Sequence, residues 1–137
     1  MFKRIMMPVD LTHLETQTRA LDCARDLAKT YGATVTYVGV TSPTPSSAAH
    51  SPEEFAEKLR AFAREQGKKN GIKTEFHSMI AHDPTTELDD ALLKAVSETL
   101  ADVVVMASHD PGLVDYIWPS NGGKIAAHAH TSVFLVR

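Results

Sequence analysis

The chain has 137 residues, 43% of them hydrophobic and 23% charged, enough for one domain with a sizeable core. Its net charge is −3, with no basic block, which argues against a nucleic-acid surface because phosphate binding needs concentrated Lys and Arg. No apolar run is long enough to span a bilayer, and the basic start MFKRIMMPVD is cut by Pro8 too early for a signal peptide.

Residues 3–9 are apolar, end at Asp10 and read as a first strand. Thr12-His13-Leu14-Glu15 fits a capping box, in which a hydroxyl and a carboxylate three residues apart satisfy two free N–H groups. The helix predicted there lays Leu14, Leu21, Ala24, Leu27, Ala28 and Tyr31 on one stripe and stops at Gly32. Residues 33–40 form a second strand, and residues 41–50, TSPTPSSAAH, a loop rich in Pro and Ser. Ser51-Pro52-Glu53-Glu54 is a second capping box, with Pro at the first helical position. Phe55, Leu59 and Phe62 form the buried stripe of that helix. Gly67 and Gly71 bracket its basic end, Lys68-Lys69, which suits the negative pole of the helix dipole. Residues 73–80 alternate as an outer strand. Asp83-Pro84 opens a third helix with Leu88, Ala91, Leu92, Ala95, Val96 and Leu100 inward.

Val103 to Ala107 is rich in β-branched residues and too short for a buried helix, so it reads as a fully buried parallel strand. A polar loop with Pro111 and Gly112 follows. Ser120-Asn121 then opens a fourth helix running to about His130, with Ile125, Ala126 and Ala129 inward. Thr131 to Val136 is the last strand. Strict alternation of strand and helix predicts an α/β domain over residues 1–137, with a parallel sheet and helices on both faces. Such sheets bind ligands beyond the carboxyl ends of their strands, where helix-start N–H groups face the crevice. The segment 101–121, ADVVVMASHDPGLVDYIWPSN, has that order and is the candidate site.

Along its full length the chain resembles the universal stress protein family. Met6-Met7-Pro8-Val9-Asp10 is similar to the family's opening strand, and Ser108-His109 follows the fourth strand as it does there. Ser120, Lys124 and His128-Ala129 fall at the family's spacing, and Val133-Phe134-Leu135-Val136-Arg137 resembles its closing strand. Ala107-Ser108-His109 with Pro111 and Ser120-Asn121 is most like the F/G-type bacterial branch. The resemblance implies an open five-stranded sheet of order 3-2-1-4-5, of the Rossmann-like adenine nucleotide α-hydrolase kind. It also implies a homodimer made through the last strand, Thr131 to Val136. In ATP-binding members the nucleotide lies across strands one and four, with the adenine at positions matching Asp10 and Val40. Carried over, the implied binding residues are Pro8, Val9, Asp10, Val40, Met106, Ala107, His109, Asp110, Ser120, Asn121 and Gly122. The implied ligand is ATP or AMP, with Mg²⁺ only alongside nucleotide.

The family's phosphate loop, Gly-x2-Gly-x9-Gly-Ser/Thr, is altered here. Counted back from His128-Ala129, its glycines become Ala107, Asp110 and Pro119, one residue is missing, and only the hydroxyl of Ser120 remains. Glycines in such loops let backbone N–H groups approach phosphate. A carboxylate at Asp110 repels phosphate by on the order of 4 kcal/mol at about 4 Å and an effective dielectric near 20, before screening. A bridging divalent cation reverses that sign. Pro119 removes an N–H. Against this, the N–H groups of Asn121, Gly122 and Gly123 open the fourth helix and can cradle an anion, and Lys124 either reaches it or faces outward. A weak or AMP-like site is expected rather than a tight Mg²⁺-dependent one.

Other residues invite readings of their own. His128 and His130 are two apart near a helix end, the wrong spacing for a metal pair, so no metal is expected. His109 is either a ribose or phosphate contact or a loop histidine bonded to backbone. Asp10 is either a ligand anchor or the residue that ends its strand. Asp89-Asp90, adjacent on a helix, read as a solvated face. Cys23, the only cysteine, permits no internal disulfide, which suits a cytoplasmic home; it reads as a small boundary residue with no activating base nearby. Tyr116-Ile117-Trp118 is a lid, a partner patch or satellite packing. No Walker motif or nucleophile elbow is present, so catalysis is not expected beyond weak ATP hydrolysis or autophosphorylation. The function expected is a nucleotide-responsive stress-response module, the alternative being a nucleotide-free dimeric protein-interaction module whose partner the sequence does not name.

Overall fold

A computed structural model describes residues 1–108 and 121–137, apart from the side chains of Thr85, Asn121 and His128. Five parallel strands form one sheet: β1 (Arg4–Pro8), β2 (Thr34–Thr41), β3 (Lys73–Ile80), β4 (Val103–Ala107) and β5 (Ser132–Val136). Their order is β3-β2-β1-β4-β5, as the family resemblance implied. Between them run α1 (Thr18–Tyr31), α2 (Pro52–Asn70), α3 (Pro84–Thr99) and α4 (Asn121–His128).

The strand period of two splits the apolar side chains between two cores. Ile5, Met7, Val35, Tyr37, Val103 and Val105 pack beneath α1 and α2. Met6, Val38, Val104 and Met106 pack against Leu92, Ala95 and Ile125 of α3 and α4. β1 and β4 are buried on both faces, which is why they read as unbroken apolar runs. Gly39 on β2 allows α2 to come this close: a Cβ there would stand 2.6 Å from the Phe55 ring. No described helix is long and apolar enough to cross a membrane.

The second capping box forms on one side only. Ser51 Oγ accepts the Glu54 N–H at 3.1 Å, while Glu54 Oε2 accepts from His50 N–H at 3.2 Å instead of from Ser51. Gly67 lies inside α2, and Gly71 ends it in the left-handed region at φ 66°.

The first capping box does not form. The Thr12 hydroxyl donates to Asp10 Oδ1 at 2.6 Å, because a charged acceptor outcompetes a backbone N–H. The chain enters α1 through a 3-10 turn, Leu14–Gln17, with no side-chain cap. The buried stripe of α1 is Ala20, Ala24 and Ala28, with Leu21 and Leu27 half-buried beside it and Tyr31 exposed.

Two further expectations fail. Leu100, expected inward, is 74% exposed: α3 ends one residue earlier, and Leu100 takes the left-handed conformation at φ 55° that turns the chain into β4. Ala126 is exposed. The eight-residue α4 ends at His128, short of His130, and buries Ile125, with Ala129 half-buried beyond its end.

Candidate functional site

The sheet reverses direction between β1 and β4. Chain order runs outward from β1 to β3, then returns to β4 and runs outward to β5. The carboxyl ends of these two central strands therefore diverge into a crevice. At the β1 end, Val9 N–H still donates to Val38 C=O at 2.8 Å, and Pro8 and Val9 are buried. The β1–β2 register stops at Pro8↔Val38. Strand alternation turns the N–H and C=O of Val40 toward the same side as those of Val38, past the point where β1 has ended.

Asp10 is the first residue beyond the ladder. Its Oδ1 accepts from the Thr12 N–H at 2.8 Å and from the Thr12 hydroxyl at 2.6 Å. Its Oδ2 faces His13 Nδ1 at 3.2 Å. A carboxylate oxygen only accepts, so Nδ1 of His13 is the donor. Beneath them lies Gln17, a polar residue only 1% exposed. Gln17 Oε1 accepts the Asp10 N–H at 3.1 Å, and its Nε2 donates to the carbonyls of Asp10 and His13, each at 2.9 Å.

Across the crevice, Met106 is fully buried, Ala107 is half-buried, and Ser108 N–H continues the ladder to Val136 C=O at 2.6 Å. Pro8, Val9, Asp10, Val40, Met106 and Ala107 thus share the carboxyl edge of β1, β2 and β4. Asn121 and Gly122 open α4. His109, Asp110 and Ser120, with the Tyr116-Ile117-Trp118 patch, lie outside the described residues.

Lys124 answers one question that its sequence position left open. Its Nζ pairs with Asp89 Oδ2 on α3 at 2.9 Å, and the hydrogen bond to Asp89 holds its ammonium above the usual lysine range. Asp89 is therefore a helix-to-helix tie rather than part of a solvated face. Cys23 is half-buried; burial, with Asp26 nearby, pushes its thiol up, the opposite of nucleophile activation. Among the described residues no group of three or more His, Cys, Asp and Glu lies close enough to hold a metal. Hollows of about 310 Å³ between α1 and α2 and about 510 Å³ beside Leu100 do not reach the carboxyl ends of β1 and β4.

Gln17 was the residue that sequence reading passed over. A signal was present: it is a polar residue between Leu14 and Leu21 at helical spacing, on the stripe that faces the sheet.

The sequence pattern of the universal stress protein family matches residues 1–137. Universal stress protein G of Salmonella typhimurium is 29% identical over 148 residues, covering all of both chains. Among solved structures, the universal stress protein from Archaeoglobus fulgidus in complex with dAMP superposes with a TM-score of 0.66 at 20% identity, over 98% of each chain. A universal stress protein in complex with cAMP gives 0.68 at 20% identity, over 99% of this chain and 97% of the other. These two share the fold of the sheet just described. On the full-length sequence match, the chain belongs to the universal stress protein family.

Proposed function

We propose that this domain is an adenine-nucleotide-binding, homodimeric regulatory module of the stress response, acting in the cytoplasm. The observation that carries the reading is the juxtaposition of Asp10 with the Val40 backbone edge at the sheet's switch point. A carboxylate acceptor beside a backbone N–H and C=O suits a purine edge, and the first turn of α4 suits its phosphate. Relatives of the same fold have been solved with cAMP and dAMP, which supports the same ligand class. Binding is weak in this reading. The loop glycines are replaced in the sequence, and Lys124 is held by Asp89. Mg²⁺ enters only with a nucleotide, and no catalytic role is proposed.

Bound nucleotide would act by altering a partner surface. The test is nucleotide analysis of heat-released, purified protein, together with melting curves in millimolar ATP, with and without Mg²⁺. Co-purified adenine nucleotide or a raised melting temperature is expected; neither appearing would sink the reading. The Lys124–Asp89 pair favours a second reading, a nucleotide-free interaction module. That reading requires a protein partner whose capture survives Asp10→Ala.

A further inference from the structure

We propose that Gln17 is the positioning residue of the candidate nucleotide site, fixing the angle at which Asp10 meets a purine; this rests on the nucleotide reading above. Gln17 is sealed from water, and all three of its side-chain hydrogen bonds go to the loop from Asp10 to His13. Two of them take both the N–H and the C=O of Asp10, as a neighbouring strand would. They do so where the β1–β2 register has run out at Pro8↔Val38. A carboxamide here replaces the missing strand neighbour. An apolar residue would fill the same volume but leave the part-buried N–H of Asp10 without its partner and its C=O with only the His13 N–H at 3.2 Å.

The consequence is selectivity. With its backbone taken by Gln17, Asp10 has only its carboxylate to offer a ligand. Oδ1 already accepts two hydrogen bonds from Thr12, and Oδ2 faces the N–H of His13 Nδ1, which it shares with the Thr12 hydroxyl oxygen at 2.9 Å. An oxygen with two lone pairs leaves one place, on Oδ2. That place takes a single N–H donor such as a 6-amino group. A 6-oxo purine sets its carbonyl against the carboxylate and is rejected. The preference holds only while Gln17 keeps the loop in register, which makes Gln17 act through Asp10 and not by touching ligand.

AMP and IMP are titrated calorimetrically into wild type, Gln17→Met and Gln17→Glu. Gln17→Met keeps the length without the hydrogen bonds; Gln17→Glu keeps the acceptor but sets a carboxylate against two carbonyls. Wild type is expected to prefer AMP, and both variants to lose AMP affinity by about tenfold or more and the preference with it. Leu59→Ala, a remote core variant, loses stability and keeps the preference. A Gln17 variant that retains the wild-type preference overturns the proposal, and if Gln17→Met does not fold, Gln17→Glu decides. Imidazole ¹⁵N shifts of His13 give a readout without ligand: one Nδ1–H form in wild type, averaged forms in the variants. If wild type binds neither nucleotide, the nucleotide reading falls, and these shifts alone judge Gln17; unchanged shifts overturn its positioning role.

Discussion

Lys124 of α4 and Asp89 of α3 stand 2.9 Å apart, so the ammonium in the first turn of α4 is already matched to a carboxylate. Asp89→Asn keeps the shape and removes the charge. It is expected to leave the melting temperature nearly unchanged, because an ion pair whose Lys124 partner is solvent-exposed contributes little to stability. ATP affinity is expected to rise severalfold at low salt, with the gain fading as ionic strength increases. Calorimetric titration at two salt concentrations checks this. An affinity that does not respond to the substitution would mean that Lys124 takes no part in phosphate binding.

The architecture was legible because it rests on periodicity and punctuation. Val103 to Ala107, bounded by polar residues, admits only one reading, and Gly32 and Gly71 mark helix ends through their lack of a Cβ. The site was only half legible. Asp10 was visible as a strand-terminal carboxylate, but the residues that hold it were not. Thr12 looked like a helix cap because the spacing to Glu15 is a local pattern. A charged acceptor two residues upstream captured its hydroxyl instead, a competition that spacing does not reveal. The Lys124–Asp89 tie joins residues on two helices and becomes visible only once α3 and α4 pack together. Leu100 failed for a related reason. The periodicity of α3 extends to it, but the turn into β4 requires a left-handed residue at that position, and nothing in Leu advertises one.

Tyr37 carries a pH-dependent contribution to stability. Its hydroxyl is buried without a hydrogen-bond partner among the described residues, and its ring meets Phe62 edge-on at 5.1 Å. Burial pushes the phenol up from 10.0 to about 12. Below 10.0 the folded and unfolded chains both hold this proton, and the contribution is constant. Between 10.0 and about 12 the unfolded chain gives it up while the folded chain keeps it. The unfolded state then binds fewer protons, so stability falls as pH rises, by at most about 1.4 kcal/mol per pH unit. Tyr37→Phe is expected to remove this alkaline loss. At neutral pH it should be at least as stable as wild type, since no orphan hydroxyl is then desolvated. Urea midpoints from about pH 8 to about pH 11.5 check both statements; parallel curves for the two proteins would refute the first.

β5 is the edge of the sheet, and Phe134 and Leu135 on its two faces are 48% and 47% exposed. Val136 C=O turns inward to Ser108 N–H, so alternation turns the N–H and C=O of Val133 and Leu135 outward. An apolar strand with outward hydrogen-bonding groups and no charge from Ser132 to Val136 pairs readily with another edge. A twofold axis through the edge would set two copies of β5 antiparallel and cover both side chains at once. Light scattering of wild type at micromolar concentration is expected to give the dimer mass. Leu135→Lys places a charge on the seam, and Val133→Pro deletes an outward N–H without touching the β4 ladder. Both are expected to give monomers with unchanged circular dichroism. A monomeric wild type, or a dimer that survives both substitutions, would show that this edge is not where two copies of the chain meet.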